Sequence, residues 1–152
     1  MDYELMCAQV REFARADGWF VPLLSNAAAL LYAALPDVNW AGFYLMRNGQ
    51  LALGPFQGKV ACIHIPAGKG VCGTAVAEDR TQRVADVHAF PGHIACDSAS
   101  NAEIVIPIHR DGQIIGVLDI DSTVPDRFSS EDQEGLEAFV RVIEEKVEPI
   151  LC

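Results

Sequence analysis

The segment NWAGFYLMRNGQLALG, residues 39–54, decides the fold. It holds Asn48-Gly49 between two apolar runs, and this dipeptide is the strongest short-range signal for a β-hairpin. The sequence therefore predicts a hairpin over about 40–54. Trp40 and Tyr44 lie four residues apart, so alternation along the strand places both side chains on one face.

Helical patterns precede this hairpin, and shorter elements follow it. Residues 3–16 and 21–35 carry apolar side chains at helical spacing, with Gly18 between them. After the hairpin the sequence predicts a short strand in 61–66, a short helix over 70–78, a short strand in 83–87, and a loop over 86–102. Loops of this length are uncommon in compact domains unless they are functional or disordered.

A second hairpin is predicted from EIVIPIH, residues 103–109, and QIIGVLDID, residues 113–121. Its second strand ends in two carboxylates, Asp119 and Asp121, which alternation places on one face of the sheet. A last helix is predicted after these strands, with Ser130 and Gln133 as its capping box. Two hairpins with helices before and after them predict an α+β domain with an antiparallel sheet.

The turn of the second hairpin decides whether Glu103 joins the two aspartates. A two-residue turn at Asp111-Gly112 pairs Glu103 with Ile120, which turns its side chain away from them. A three-residue turn over 110–112 pairs Glu103 with Asp119 and puts all three carboxylates on one face. We predict the three-residue turn. Mutual repulsion should then raise the pKa of at least one carboxyl, although aspartates at a strand end commonly just face solvent.

Composition narrows the class of protein. The 152 residues are 51% hydrophobic, which suits a single domain over 1–152. A net charge of −10 argues against nucleic acid or an anionic membrane as partner. The N-terminus MDYELMCAQV lacks the basic start of a signal peptide, and no apolar run could span a bilayer, so we expect a cytoplasmic protein.

Three of the five cysteines, Cys62, Cys72 and Cys96, lie in one irregular stretch. In a reducing compartment they favour catalytic, redox or metal chemistry over a permanent disulfide framework. Nine residues separate Cys62 from Cys72 and 23 separate Cys72 from Cys96, a spacing that fits zinc poorly, so no metal site is predicted. Near Cys96, a protonated His93 would stabilise a thiolate and Asp97 would oppose it, which leaves its reactivity open.

Several strings resemble one family, the free methionine-(R)-sulfoxide reductases, which are built on a single GAF domain. They are NWAGFYL, LGPFQGKVAC, IPAGKGVCGTA, DVHAFPGHIACD, SNAEIVIPI and IIGVLDIDS, in this order. The resemblance implies an antiparallel sheet with helices packed on one face and a loop-covered ligand pocket on the other. It also implies reduction of free methionine sulfoxide, with thioredoxin as external reductant, no bound cofactor, and a homodimer as an option. A non-catalytic GAF sensor of a small molecule or of thiol redox state is the alternative.

The same resemblance assigns roles to individual residues. Cys96 is similar to the catalytic cysteine, Cys62 to the principal resolving cysteine and Cys72 to a third member of the redox set. A sulfenic acid on Cys96 would condense with Cys62 to a disulfide. The remaining assignments are acid catalysis by Glu103 and Asp121, binding of the substrate ammonium by Glu103, Asp119 and Asp121, and an aromatic wall of Trp40 and Tyr44.

Overall fold

The computed structural model describes residues 1–93 and 99–148, which contain one antiparallel sheet of six strands and four α-helices. The helices are α1 Tyr3–Ala16, α2 Phe20–Ala34, α3 Gly70–Glu78 and α4 Ser130–Lys146. The strands are β1 Val38–Arg47, β2 Gln50–Gly58, β3 His64–Ile65, β4 Gln82–Val84, β5 Ala102–Arg110 and β6 Gln113–Ser122. Their order across the sheet is β3-β2-β1-β6-β5-β4. The predicted α+β class is confirmed.

The first hairpin forms as predicted. Asn48 and Gly49 have φ angles of 53° and 80°, the left-handed values of a type I′ turn, and Arg47 pairs directly with Gln50. Strands β1 and β6 are neighbours, so β1 lies in the middle of the sheet between the two hairpins.

The turn of the second hairpin was predicted wrongly. Asp111 and Gly112, at φ 52° and 78°, form a two-residue turn that pairs Arg110 with Gln113. The register then shifts between Ile108 and His109, because one extra residue of β6 bulges out of the ladder.

This bulge reverses the consequence of the short turn. Glu103 pairs with Asp121, and Val105 pairs with Asp119, so Glu103 lies on the same face as both aspartates. The predicted face is therefore right, while the predicted partner, Asp119, is wrong. A turn motif can be read from three residues, but a bulge is a property of two strands packed together.

The two faces of the sheet carry different layers. Helices α2 and α4 pack on one face of the sheet, and α1 packs against both of these helices. This side holds a large apolar core that includes Leu31, Phe43 and Phe139. The opposite face carries a smaller cluster with Trp40, Tyr44 and Val117, covered by α3 and the loops around it. In the described part of the chain, no helix combines the length and apolar character needed to span a membrane.

The N-cap of α4, Ser129, lies one residue before the predicted cap, Ser130. The Ser129 hydroxyl accepts a hydrogen bond from the backbone N–H of Asp132 at 3.1 Å, and the Asp132 carboxylate accepts one from the Ser129 N–H at 2.9 Å. This capping box replaces the predicted pair Ser130 and Gln133. The Asp132 carboxylate also accepts a hydrogen bond from the Tyr3 hydroxyl of α1 at 2.6 Å. This bond ties α1 to the start of α4.

Candidate active site

A cavity lies on the sheet face opposite the three large helices. Strands β1, β5 and β6 form its floor, and the start of α3 and the connecting loops form its walls. Its lining residues are Trp40, Tyr44, Val60, Ala61, Ile65, Lys69, Gly70, Val71, Cys72, His93, Ser100, Glu103, Asp119 and Asp121. Six of the predicted site residues, namely Trp40, Tyr44, Cys72, Glu103, Asp119 and Asp121, therefore line one cavity.

The three carboxylates occupy the floor. Cross-strand pairing sets Glu103 beside Asp121, and Asp119 lies opposite Gly42 of β1. Glu103 is 7% exposed and Asp119 is 5% exposed, so neither is a solvated strand-end carboxylate. Within the described residues, Oδ1 of Asp119 has no hydrogen-bond partner. A buried acceptor without a donor is costly, and Asp119 lines the cavity.

The environment raises the pKa of two of these carboxyls. The pKa of Glu103 is well above its usual value, first because burial disfavours the charged form and then because Asp119 and Asp121 are close. Burial also raises the pKa of Asp119, against hydrogen bonds to Glu103 and Cys72 that lower it. The predicted rise in carboxyl pKa is confirmed, but burial contributes more to it than repulsion between the carboxylates does. Burial and its neighbours therefore favour the protonated form of Glu103.

Cys72 faces these carboxylates from the first turn of α3. Its thiol lies 4.0 Å from Oε2 of Glu103, and its side chain is buried. Burial raises the pKa of this thiol well above the ordinary value, and the charges of Asp119, Glu103 and Asp121 raise it further. A thiol held in its protonated form is a weak nucleophile.

Trp40 and Tyr44 form an aromatic wall on the same face. Their rings stack at 5.8 Å, and the Trp40 ring also stacks on Phe56 at 5.2 Å. A Cβ on Gly42 would lie 2.3 Å from the Phe56 Cβ and 2.9 Å from the Trp40 ring. The absence of a side chain at Gly42 therefore leaves room for the aromatic stack.

The polar ends of both rings hold the loop that carries Cys62. The Trp40 indole N–H donates to the backbone carbonyl of Lys59 at 3.1 Å, and the Tyr44 hydroxyl donates to that of Cys62 at 3.0 Å. Cys62 is disulfide-bonded, whereas Cys7 and Cys72 are free thiols and so are not its partner. The predicted nucleophile, Cys96, lies outside the described residues.

The predicted loop over 86–102 is fastened at both described ends. It begins with a 3₁₀ turn, Val87–Ala89, and the Gly92 carbonyl accepts a hydrogen bond from the Gly70 N–H at 3.1 Å. Towards β5, the Asn101 side chain donates to the Thr123 carbonyl at 2.7 Å. These contacts hold the described parts of the predicted loop against α3 and the end of β6.

Two cationic candidates in the lining were not assigned to the pocket from sequence. Lys69 immediately precedes α3, and the first three residues of that helix, Gly70, Val71 and Cys72, also line the cavity. The surrounding string GKGVCG is the available sequence signal, but it is not a complete phosphate-loop motif. His93 also lines the cavity, but burial and then His88 lower its pKa, so it is a poorer source of positive charge than expected.

Comparison with known proteins places this cavity in a family. The family model for the GAF domain matches residues 4–147. The free methionine-R-sulfoxide reductase of Escherichia coli strain K12 is 61% identical over 125 residues, which are 82% of this chain and 76% of that protein. This chain belongs to the free methionine-(R)-sulfoxide reductases, a family of GAF-domain enzymes.

Solved structures agree with that membership. The reduced form of fRMsr from Staphylococcus aureus superposes with a TM-score of 0.93 at 54% identity, covering 97% of this chain and 96% of that one. The free methionine-R-sulfoxide reductase of Neisseria meningitidis, in complex with its substrate, has a TM-score of 0.91 at 41% identity, covering 95% and 87%. The chain is therefore a reductase with the GAF fold.

Proposed function

We propose that this reductase converts free methionine-(R)-sulfoxide to methionine, with Cys96 as nucleophile, Cys62 as resolving cysteine and thioredoxin as reductant. The observation that carries the proposal is the cavity floor, where Glu103, with its raised pKa, lies beside two further carboxylates under an aromatic wall. The substrate and its R configuration come from family membership, because relatives at 61% and 49% identity bear that name.

The charges around the cavity match the two ends of a free amino acid. Asp119 and Asp121 offer negative charge to an ammonium group, and the unpartnered Oδ1 of Asp119 can accept one of its hydrogens. Lys69 and the N–H groups at the start of α3 offer donors to the carboxylate. A methionine inside a polypeptide has neither charge, so this arrangement selects the free amino acid.

The remaining part of the substrate fits the aromatic side of the cavity. Trp40 and Tyr44 would hold the methyl-sulfur end, since sulfur beside an aromatic ring is a favourable contact. The sulfoxide oxygen would then lie near Glu103. Proton donation from Glu103, assisted by Asp121, makes this oxygen transferable while the Cys96 thiolate attacks the sulfur.

The oxygen moves from the substrate to Cys96, so methionine leaves and Cys96 becomes a sulfenic acid. The Cys62 thiol attacks this sulfur, which forms a disulfide and releases the oxygen as water. Thioredoxin supplies two thiols, becomes the disulfide itself and restores both cysteines. The disulfide at Cys62 supports this assignment. The cycle suits the reducing environment of the cytoplasm, where we propose that the protein acts.

The role of Cys72 in the redox set stays a prediction. Its raised pKa opposes nucleophilic attack, whereas a free thiol close to Glu103 could still exchange with a disulfide. Homodimer formation, implied by the family, also stays a prediction that sedimentation velocity can test.

Replacement of Cys96 by Ser tests the nucleophile. We expect the variant to make no methionine from free methionine-(R)-sulfoxide. Cys62→Ser should make one equivalent and then stop, because its sulfenic acid cannot form the disulfide. Cys7→Ser, which alters a buried thiol of α1 away from the cavity, should retain wild-type turnover with thioredoxin. Full turnover by Cys96→Ser would refute the mechanism.

Thiol titration without reductant separates the enzyme from a GAF sensor. An enzyme loses two thiols for each methionine formed when free methionine-(R)-sulfoxide is added. A redox sensor loses thiols to a general oxidant such as peroxide but forms no methionine, and a small-molecule sensor loses none. A peptide containing methionine sulfoxide should leave the thiols of this protein intact.

A further inference from the structure

We propose that Cys72, Glu103 and Asp119 form a binding site for a thiophilic divalent cation of the Zn²⁺ class. The sulfur of Cys72 and one carboxylate oxygen from each acid lie within 4.8 Å of one another, and all three residues are buried. No ion is present in this structure. The proposal concerns an inhibitory ion that enters the cavity, not a resident cofactor.

The three ligands come from rigid elements of the fold. Cys72 lies in the first turn of α3, Glu103 on β5 and Asp119 on β6, so three different elements converge on one point. Ligand distances of about 2.3 Å to sulfur and about 2.1 Å to oxygen require the ligand atoms to approach to roughly 3.5 Å. The Cys72–Glu103 pair, at 4.0 Å, is already close to this spacing.

A second observation points to a ligand at this point. Oδ1 of Asp119 is buried without a hydrogen-bond partner among the described residues, and Asp119 lines the cavity. The oxygen of Asp119, the thiol of Cys72 and the carboxyl of Glu103 can all donate electron pairs, which a metal ion accepts. Two carboxylates and a thiolate would carry three negative charges, and a divalent cation would offset two of them.

The ligand types determine which cation is preferred. Mg²⁺ and Ca²⁺ favour six or more oxygen ligands, whereas Zn²⁺ accepts sulfur and oxygen together in a tetrahedron. Three protein ligands leave the fourth position open to the cavity, where a water molecule can bind. Binding exchanges the thiol proton of Cys72, and any carboxyl proton, for the metal ion, and no electron is transferred.

The ion would compete with the substrate. This part rests on the proposed function, because Glu103 and Asp119 are the groups assigned there to proton donation and ammonium binding. An ion bound to both acids removes the donated proton and the negative charge together. Zn²⁺ would therefore inhibit the reductase, and a chelator would restore its activity.

Cobalt substitution tests the site separately from the reaction. Co²⁺ is the probe, because thiolate coordination to this ion produces a strong near-ultraviolet charge-transfer band. The protein is used in the form with Cys62 disulfide-bonded, in which Cys7 and Cys72 are the described free thiols. We expect a band at one Co²⁺ per chain that Zn²⁺ abolishes and an equal concentration of Mg²⁺ leaves unchanged.

Two alanine variants of the free thiols provide the matched comparison. Cys72→Ala should lose the band and weaken Co²⁺ binding by more than the 10–100-fold typical for loss of an outer-shell partner. Cys7→Ala removes an equally buried thiol on α1 and should keep both the band and the Co²⁺ affinity of the wild type. Circular dichroism establishes that each variant is folded. Absence of the band in the wild type, or its persistence in Cys72→Ala, would overturn the proposal.

Competition then tests the consequence for function. Free methionine sulfoxide, added to the same disulfide form so that no turnover occurs, should displace Co²⁺ and bleach the band. A band that persists at saturating substrate would overturn the exclusion of substrate while leaving the metal site intact. A band that bleaches in a protein without reductase activity would separate the cation site from the proposed reaction.

Discussion

Glu103 illustrates how a single residue acquires its chemistry from its surroundings. An ordinary glutamate ionises near pH 4.3, but burial and two neighbouring carboxylates raise the pKa of this one well above its usual value. The protonated form, which can donate a proton, is therefore favoured. No feature of the residues beside Glu103 in sequence, Ala102 and Ile104, produces this shift.

Replacement of Glu103 by Gln should therefore reduce kcat with free methionine-(R)-sulfoxide by about 10²–10⁴, the usual contribution of a general acid. The amide has nearly the same shape and, like the protonated acid, carries no charge, so we expect the variant to be about as stable as the wild type. Stopped-flow measurement of methionine formation in a single turnover isolates the chemical step.

The matched control is Glu12→Gln, which changes a solvent-exposed carboxylate of α1 to the same amide. It should keep wild-type kcat and KM. A Glu103→Gln variant with an unchanged single-turnover rate would remove Glu103 from the proton-donating role and transfer that role to Asp121.

At the scale of elements, the bulge in β6 decides which face of β5 meets the cavity. The two-residue turn alone would pair Glu103 with Ile120 and direct the carboxyl into the apolar layer under α1, α2 and α4. One extra residue, Ile115, has no partner in the ladder, and the resulting shift places Glu103 on the cavity face of the sheet. Bulges next to active sites commonly reorient a side chain in this way.

Deletion of Ile115 should therefore destabilise the protein by several kcal/mol, because it would bury the Glu103 carboxyl among apolar side chains or force the strands apart. Urea unfolding followed by circular dichroism measures the change. Asp111→Asn is the control in the same hairpin, since asparagine accepts the φ of 52° at this position, and it should change stability by less than about 0.5 kcal/mol. If the deletion changed the free energy of unfolding as little as Asp111→Asn does, the bulge would not be what sets the register of Glu103.

At the scale of the whole molecule, His109 ties three elements together. Its ring lies 2.5 Å from Asp79, just after α3, and 3.3 Å from Glu144 of α4, while its own place is near the end of β5. Burial lowers the pKa of His109, but the hydrogen bond to Asp79 and the charges of both carboxylates raise it more, so the net shift is upward.

A raised pKa means that folding favours the protonated ring. This contribution to stability is complete below the unfolded value of about 6.5 and is lost as the pH rises through the folded value. We expect the stability difference between the wild type and His109→Gln, from urea unfolding, to shrink as the pH is raised from 6 to 9. His64→Gln, at an exposed position of β3, should follow the wild type throughout. A constant difference would mean that the ring acts only by packing.

Six of the residues predicted for the site line the cavity, and local rules predicted part of their arrangement. Trp40, Tyr44, Asp119 and Asp121 share a face because a strand alternates with a period of two, which is a local rule. Lys69 was missed because its place at the start of α3 gains meaning only once that helix packs over β5 and β6.

By itself, the sequence determined what depends on neighbours along the chain. The turn at Asn48-Gly49, the first two helices, the alternation of the last strand and the family resemblance are all local signals. Tertiary structure alone decided the register of Glu103, the site of the α4 cap and the pKa values on the cavity floor. These depend on which groups meet across strands and on how far water is excluded, and free energies of burial and pairing arise only when distant segments come into contact.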